Sequence, residues 1–249
     1  MSGILYLIPN TLGPTDTSAD PLAHIIPTEV QVITARLDYF IAENAKTTRA
    51  FLKLIDSQQP LAKPLQEIRI AELNINTDAK TLPDLLEPIL AGTDGGLISE
   101  AGVPAVADPG ANLVRLAHTH GITVKPLVGP SSLLLAVMAS GLSGQNFAFN
   151  GYLPVDAAAR IKRVKQLEDR ARSEIQTQFF IETPYRNSAM LETLASTCQG
   201  KTLISVATDL TLATESIRTQ TAAKWKSDLA NSAGPDFHKK PTVFLLLAD

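Results

Sequence analysis

The segment LISEAGVPAVADPGANLVRLA, residues 97–117, combines groups that can bind a ligand with residues that shape a loop. Glu100 and Asp108 place two carboxylates close together in the chain. Gly102 allows a ligand to approach the backbone closely, and Pro104 restricts the conformations of the loop. This composition indicates polar recognition, in which backbone N–H groups donate hydrogen bonds. A carboxylate in the loop would accept from a hydroxyl or face a cation.

A second interpretation applies to one of these carboxylates. Asp108, followed by proline and glycine, is also typical of a helix start, where an aspartate caps the first turn. The helix that follows would cover residues 111–119. Capping explains Asp108 alone and leaves the stiff E-A-G-x-P half unexplained, so both interpretations stay open for this residue.

A loop of this kind needs a strand before it and a helix after it. Apolar runs of strand length alternate with apolar spacings of three and four in the first half of the chain. The predicted strands are GILYLI (3–8), DYFIA (38–42), GGLIS (95–99) and TVKPLV (123–128), and the predicted helices cover 47–55, 82–90 and 112–118. The pattern predicts a largely parallel α/β sheet, whose ligands bind beyond the carboxyl ends of the strands.

The second half of the chain begins with the same alternation and ends differently. Three strands lie close together at its end, which predicts a mixed or partly antiparallel second sheet. The predicted helices are SSLLLAVMASGL (131–142), AARIKRVKQLEDRARS (158–173) and NSAMLETLAS (187–196), and the predicted strands are FAFNGYL (147–153), TQFFIET (177–183), TLISVATDL (202–210), TESIRTQT (214–221) and PTVFLLLA (241–248). The segment PLVGPSS is the predicted hinge. We therefore expect two α/β domains, 1–125 and 126–249.

Composition excludes several classes of protein. The chain has 249 residues, of which 45% are hydrophobic, and a formal net charge of −3, so no global positive field indicates a nucleic-acid partner. The single cysteine, Cys198, excludes an internal disulfide framework and fits a reducing compartment. The N-terminal residues lack the basic region of a signal peptide, and no apolar run approaches the ~18 residues of a membrane span. These features predict a cytoplasmic protein without membrane association.

Common catalytic motifs are missing from the sequence. It contains no P-loop, no G-x-G-x-x-G after a strand and no G-x-S-x-G nucleophile elbow. His118 and His120 are two residues apart near a predicted helix end, which is a poor spacing for joint ligation of a metal. The sequence therefore predicts neither a metal site nor a hydrolase.

Five segments together resemble one family. Residues 97–117 closely resemble the S-D-A-G-x-P-x-x-x-D-P-G segment of the tetrapyrrole methylase superfamily. The other four segments occur in the family's order: LYLIPNTLG (5–13), IAENAKTTRAFL (41–52), LVGPSSLLLAVMASGL (127–142) and FFIETPYRNSAMLETL (179–194). Within the superfamily, the chain is most similar to the bacterial 16S ribosomal RNA cytidine 2′-O-methyltransferase family.

The resemblance implies a two-domain α/β fold with a cleft between the domains that binds S-adenosylmethionine, and usually a homodimer. This superfamily does not use the glycine fingerprint of Rossmann methyltransferases. The implied cofactor-binding residues are Pro9, Ser99, Glu100, Ala101, Gly102, Pro104, Gly129, Pro130 and Ser131. The implied partner is RNA, most readily ribosomal RNA.

Methyl transfer to a ribose hydroxyl needs alignment and a base that removes a proton. The candidates for the base are Glu43, Glu100 and Glu182, while Lys46 and Arg49 could hold a phosphate or stabilise a developing oxyanion. A surface ion pair at a helix start is the alternative interpretation of Glu43 and Arg49.

The chain departs from the family pattern on the RNA side. Glu100 replaces the aspartate of S-D-A-G, and Asn44 and Ala45 replace the acid and the threonine of E-D-T-R. Residues 208–212 lack both cations of the family's R-E-L-T-K segment. Earlier in the chain, the basic run after NGYLP retains only Arg160, Lys162, Arg163 and Lys165. Lost cations weaken phosphate binding. Methylation of a tetrapyrrole or other small molecule, and cofactor binding without catalysis, therefore remain alternatives.

Overall fold

A computed structural model describes residues 2–14 and 21–248 of the chain, which forms two compact units, Met1–Ser131 and Ser132–Asp249. The expectation of two α/β domains is confirmed. The division between the two units follows Ser131, six residues after the predicted boundary between 125 and 126. The intervening segment packs on the first unit: the Leu127 N–H donates to the carbonyl of Leu7 at 3.0 Å, and its side chain joins the first unit's core.

The first unit is a five-stranded parallel sheet with helices packed against it. Its elements are β1 (Ile4–Ile8), α1 (Thr28–Ala35), β2 (Tyr39–Ala42), α2 (Ala45–Asp56), β3 (Arg69–Glu72), α3 (Leu82–Leu90), β4 (Gly95–Ile98), α4 (Gly110–Thr119) and β5 (Thr123–Pro126). The strand order is β3-β2-β4-β1-β5, and every neighbouring pair is parallel. All five carboxyl ends therefore lie at one edge of this sheet.

Helix α2 illustrates why the sequence folds as it does in the first unit. Phe51, Leu52 and Ile55 recur at helical spacing and are completely or nearly completely buried against the sheet. Asn44 caps the helix, since its side-chain oxygen accepts hydrogen bonds from the N–H groups of Lys46 and Thr47. The apolar face and the cap fix the direction in which the first turn of α2 leaves the end of β2.

The second unit contains a mixed sheet, as the sequence predicts. Its elements are α5 (Ser132–Ser140), β6 (Phe147–Tyr152), α6 (Ala157–Glu174), β7 (Thr177–Glu182), α7 (Asn187–Thr197), β8 (Leu203–Thr208), β9 (Ser216–Thr221), α8 (Ala222–Ala230) and β10 (Thr242–Leu247). The strand order is β6-β7-β10-β8-β9. Only β6 and β7 are parallel; β10 runs antiparallel to both of its neighbours.

Trp225 on α8 is fully buried in the core of the second unit. Its ring N–H donates to the carbonyl of Ile204 at 2.9 Å, and the Arg218 guanidinium lies 4.7 Å from the ring centroid. Trp225→Phe removes this hydrogen bond and part of the buried volume. We expect a loss of about 1–2 kcal/mol in the free energy of unfolding, measured by urea denaturation. Tyr185→Phe, at a side chain 88% exposed, should leave that free energy unchanged.

Across the described part of the chain, none of the helices has the length and apolar character needed to cross a membrane.

Candidate functional site

The carboxyl edge of the first sheet carries a polar side chain at or just after the end of four strands, and two of these residues, Glu43 and Ser99, were singled out from the sequence. Asn10 follows β1, Glu43 follows β2, Glu72 ends β3 and Ser99 follows β4. Glu43 continues the sheet, because its N–H donates to the carbonyl of Ile98 at 3.1 Å. This edge is where open parallel sheets bind their ligands.

Asn10 fixes the loop that joins β4 to α4, here called the 99–110 loop. Its side-chain amide donates to the carbonyls of Ser99 at 3.1 Å and Glu100 at 3.0 Å. Its backbone N–H donates to the Gly102 carbonyl at 2.9 Å, and the Gly102 N–H donates to the Thr11 carbonyl at 3.3 Å. Asn10 is only 4% exposed. The sequence analysis missed this residue, although a polar side chain directly after the first strand is a signal for such a role.

The backbone conformation and close neighbours of Gly102 leave no space for a side chain at this position. Its φ is +68°, and an added Cβ would lie 3.0 Å from the Leu12 side chain and 3.3 Å from the Pro130 carbonyl oxygen. A Cβ on Gly129 would lie 2.2 Å from the Cβ of Pro9. The structure thus brings together the first strand's loop, the 99–110 loop and the segment after β5. Pro9, Gly102, Gly129 and Pro130, all predicted to bind the cofactor, share this edge.

The second half of the 99–110 loop is strained and is held by Asp108. Ala105 and Ala107 have φ values of 64° and 62°, which side-chain-bearing residues rarely adopt. The Asp108 carboxylate accepts from the Ala105 N–H at 2.8 Å and from the Gly110 N–H at 2.7 Å. Asp108 therefore ties the loop to the first residue of α4. It is not the N-cap predicted for it, because that position is Pro109 and the helix begins at Gly110.

Burial raises the pKa of Asp108, and the nearby Glu43 carboxylate raises it further, whereas the backbone hydrogen bonds from Gly110 and Ala105 oppose this shift. The folded chain therefore keeps this proton to a higher pH than the unfolded chain, whose aspartate titrates near 3.8. The contribution of Asp108 to the free energy of unfolding should fall as the pH rises above about 4. Urea denaturation at several pH values should show that Asp108→Asn removes this decline. An equally steep decline in the variant would contradict the assignment.

Glu43, Asn44 and Glu100 form a connected group. The Glu43 carboxylate accepts from the backbone N–H of Glu100 at 3.0 Å. The Asn44 side-chain amide donates to the Glu100 carboxylate at 2.8 Å, while its oxygen caps α2. Glu43 and Glu100, both predicted from the sequence as candidates for the base, are therefore neighbours in space, although 57 residues separate them in the chain.

The exposed face of α2 is basic. Lys46 and Arg49, both predicted to act on the substrate, lie on this face, and Lys53 follows two helical turns after Lys46. All three are exposed, and no carboxylate elsewhere in residues 2–14 and 21–248 forms an ion pair with them. The sequence analysis missed Lys53, which the seven-residue spacing from Lys46 could have indicated.

A groove of about 460 Å³ lies beside Glu100 and helix α2. Its volume is within the range of small-molecule sites. One wall is the loop after β1, a second is the side of α2, and the third is the start of the 99–110 loop. The lining residues are Asn10, Thr11, Leu12, Gly13, Pro14, Thr47, Ala50, Phe51, Leu54, Glu100 and Ala101.

Glu182, the remaining catalytic candidate, lies in the second unit at the end of β7. Its side chain is 1% exposed and accepts hydrogen bonds from the Thr183 N–H at 2.6 Å and the Arg186 Nε at 2.9 Å. These contacts hold the turn that leads into α7. Its second oxygen is buried without a hydrogen-bond partner among the described residues.

The donor set of the first unit's edge is suited to organic ligands. The described ranges contain no group of three or more His, Cys, Asp or Glu residues that could hold a metal ion. What the edge offers is a close approach to the backbone at Gly102, a carboxylate at Glu100 and cations on α2.

Comparison with known proteins finds relatives that match most of the chain. No family model matches the chain. Ribosomal RNA small subunit methyltransferase I of Xylella fastidiosa is 28% identical over 229 residues, which cover 92% of this chain and 76% of that protein. The protein of the same name from Streptococcus pyogenes serotype M3 is 30% identical over 210 residues, which cover 84% of this chain and 66% of that protein.

Solved structures show the same fold. The methyltransferase CobJ has a TM-score of 0.61 at 18% identity, with 99% of this chain and 94% of that chain covered. Uroporphyrin-III-C-methyltransferase from Thermus thermophilus has a TM-score of 0.56 at 14% identity, with 98% and 94% covered. The resemblance inferred from five sequence segments is confirmed: the chain is similar in sequence to the ribosomal RNA small subunit methyltransferase I proteins and has the fold of the solved tetrapyrrole methyltransferases.

Proposed function

We propose that this chain is an S-adenosylmethionine-dependent methyltransferase that modifies a ribose of ribosomal RNA. The observation that carries the proposal is the 99–110 loop, which Asn10, Glu43 and Asn44 hold at the carboxyl edge of the first sheet. The names of its relatives support methyl transfer to ribosomal RNA, and the resemblance to the cytidine 2′-O-methyltransferase family supports a ribose as the acceptor.

The residues at this edge fit the methyl donor. S-adenosylmethionine supplies an activated methyl group when it is bound. The lack of a side chain at Gly102 lets Leu12 and Pro130 pack against the 99–110 loop. The Glu100 carboxylate can accept from a ribose hydroxyl. We propose that the donor lies against Pro9, Ser99, Glu100, Ala101, Gly102, Pro104, Gly129, Pro130 and Ser131.

Glu43 is the proposed base for the acceptor hydroxyl. One of its oxygens holds the Glu100 N–H, and within the described residues the other accepts no hydrogen bond. That second oxygen is available to take a proton. A single carboxylate would thus both support the 99–110 loop and activate the acceptor, which makes its geometry dependent on the loop. The contacts of Glu182 lie within its own unit and support a different role, in which Glu182 positions the turn after β7.

The basic face of α2, Lys46, Arg49 and Lys53, is the proposed contact for the RNA backbone. Arg49→Ala should weaken binding of the RNA acceptor by about 1–3 kcal/mol, the scale of a charge-assisted hydrogen bond. It should also make the slope of affinity against salt concentration less steep, because one fewer counterion is released. Filter binding at several salt concentrations measures both. Lys201→Ala, at an exposed cation of the second unit, is the matched control and should change neither quantity.

The function is tested with the full chain, labelled S-adenosylmethionine and three acceptors: small ribosomal subunits that lack the modification, the free RNA and uroporphyrinogen III. We expect label in one ribose of the RNA. Label in the tetrapyrrole alone would overturn the RNA proposal in favour of small-molecule methylation. Binding of the donor without transfer to any of the three would indicate a protein that has lost catalysis.

A further inference from the structure

Two departures from the family pattern meet in space. At position 44 the family's E-D-T-R segment has an acid and this chain has Asn44; at position 100 the family's S-D-A-G segment has an aspartate and this chain has Glu100. The Asn44 side-chain nitrogen lies 2.8 Å from a Glu100 carboxylate oxygen, although 56 residues separate the two positions. Taken singly, neither exchange calls for a special explanation. Because the two side chains are in contact, one explanation can account for both exchanges.

The cap of α2 decides which way the Asn44 amide points. Its oxygen accepts from the N–H groups of Lys46 at 2.9 Å and Thr47 at 3.3 Å, so this atom must be the oxygen and not the nitrogen. The nitrogen is therefore directed away from the helix, toward Glu100. An acid at position 44 would cap equally well but would place a second carboxylate beside the first. An aspartate at position 100, one methylene shorter, would not reach the amide.

The hydrogen bond leaves half of the Glu100 carboxylate available. Its second oxygen accepts no hydrogen bond from the described parts of the chain, and the residue lines the groove beside α2. The Glu43 carboxylate holds the backbone N–H of the same residue. Glu100 is thus fixed at its main chain by Glu43 and at its side chain by Asn44.

We propose that Asn44 is a positioning residue, which orients the Glu100 carboxylate so that its free oxygen accepts a hydrogen bond from a ribose hydroxyl of the adenosyl ligand. This inference rests on the proposed function. The pair Asn44–Glu100 carries one negative charge where the family pattern has two acids. The orientation, rather than the charge of position 44, is what the ligand requires.

If Asn44 orients Glu100, the ligand affinity of an Asn44→Asp variant should depend on pH, whereas a simple loss of packing would not cause such a dependence. In Asn44→Asp, two carboxylates would lie at hydrogen-bond distance, and such a pair shares a proton with a raised pKa. Above that pKa the side chains repel each other and Glu100 loses its orientation. Below it, the protonated partner donates and the orientation returns. Three other carboxylates lie around the pair: Glu43 holds the Glu100 N–H, Glu72 accepts from the Ala45 N–H beside Asn44, and Asp108 lies near Glu43. All three are present in wild type and variant alike.

The test measures the affinity of the full chain for S-adenosylhomocysteine by calorimetry, at about pH 8 and about pH 5.5. Relative to wild type at the same pH, Asn44→Asp should bind about tenfold more weakly at the higher pH and recover most of that loss at the lower pH. Asn44→Ser keeps a capping hydroxyl and removes the donor, so its smaller loss should be the same at both pH values. In Asn44→Asp with Glu100→Gln, the glutamine amide can donate to the aspartate, and the dependence on pH should disappear.

Asp156→Asn is the matched control, because Asp156 caps α6 through the Ala159 N–H in the second unit. It should leave the affinity unchanged at both pH values. Wild-type affinity in Asn44→Asp at the higher pH, or a loss of equal size at both, would overturn the positioning role while leaving the proposed function intact. Failure of the wild-type chain to bind S-adenosylhomocysteine would instead overturn the proposed function, and with it this inference.

Discussion

Gly102→Val should fold and yet bind S-adenosylmethionine at least about a hundredfold more weakly than the wild-type chain. The new side chain would meet the Leu12 side chain at 3.0 Å and the Pro130 carbonyl at 3.3 Å, at a φ of +68° that a β-branched residue rarely adopts. Relief of these contacts would displace the loop after β1, whose hydrogen bonds to Gly102 align Asn10. Calorimetry measures the affinity, and the far-ultraviolet circular dichroism spectrum shows that the chain is folded.

Gly121→Val is the control for backbone strain alone. Gly121 has a φ of +69°, nearly that of Gly102, and nothing lies within 4 Å of an added Cβ. The two variants should lose similar stability from the backbone, but only Gly102→Val should lose affinity. Equal affinity of Gly102→Val and wild type would place the methyl donor elsewhere.

Glu43→Gln should lower the rate of methyl transfer by about a hundredfold or more, the usual scale for loss of a general base. The glutamine oxygen can still accept from the Glu100 N–H, so the 99–110 loop and the affinity for S-adenosylmethionine should be preserved. Glu43→Ala removes both roles and should lower the rate and the affinity together. Single-turnover transfer and calorimetry separate the two effects.

Glu72→Gln provides a matched exchange at the same sheet edge. Glu72 ends the neighbouring strand β3 and accepts from the Ala45 N–H at 3.3 Å. It should retain turnover to within about threefold, since it is not proposed to take a proton. If Glu43→Gln kept full activity on the unmodified RNA acceptor, Glu43 would be a support of the loop and not the base.

Most strands and helices of the chain could be predicted because apolar residues recur at the spacing of the element. The helix predicted over 82–90 is α3 as observed, and α2 and α4 extend their predictions by one or two residues at each end. Strand β3 was not predicted: Arg69–Glu72 is an edge strand with exposed ends, so it carries no apolar run. Helices α1 and α8 were also missed, the latter because Trp225 is its only large fully buried side chain.

The candidate site could be predicted in part for a similar reason. The 99–110 loop is contiguous, so its glycines, prolines and carboxylates are visible together in the sequence. Asn10 was missed because its partners lie about ninety residues away. The exchanges at Asn44 and Glu100 were each noted as departures from the family, but only the fold shows that they touch. Hydrogen bonds between distant segments leave no periodic pattern.

Strand β10 occupies the middle of the second sheet, although every other strand of that sheet precedes it in the chain. While a ribosome makes this protein, all five strands of the first sheet are synthesised by residue 126, and that unit can fold early. Strands β7 and β8 have no partner between them until residues 242–247 follow. Their apolar edges stay open to other nascent or misfolded chains during this interval. A ribosome that stalls before Thr242 would therefore release a polypeptide with a complete first sheet and an aggregation-prone second half.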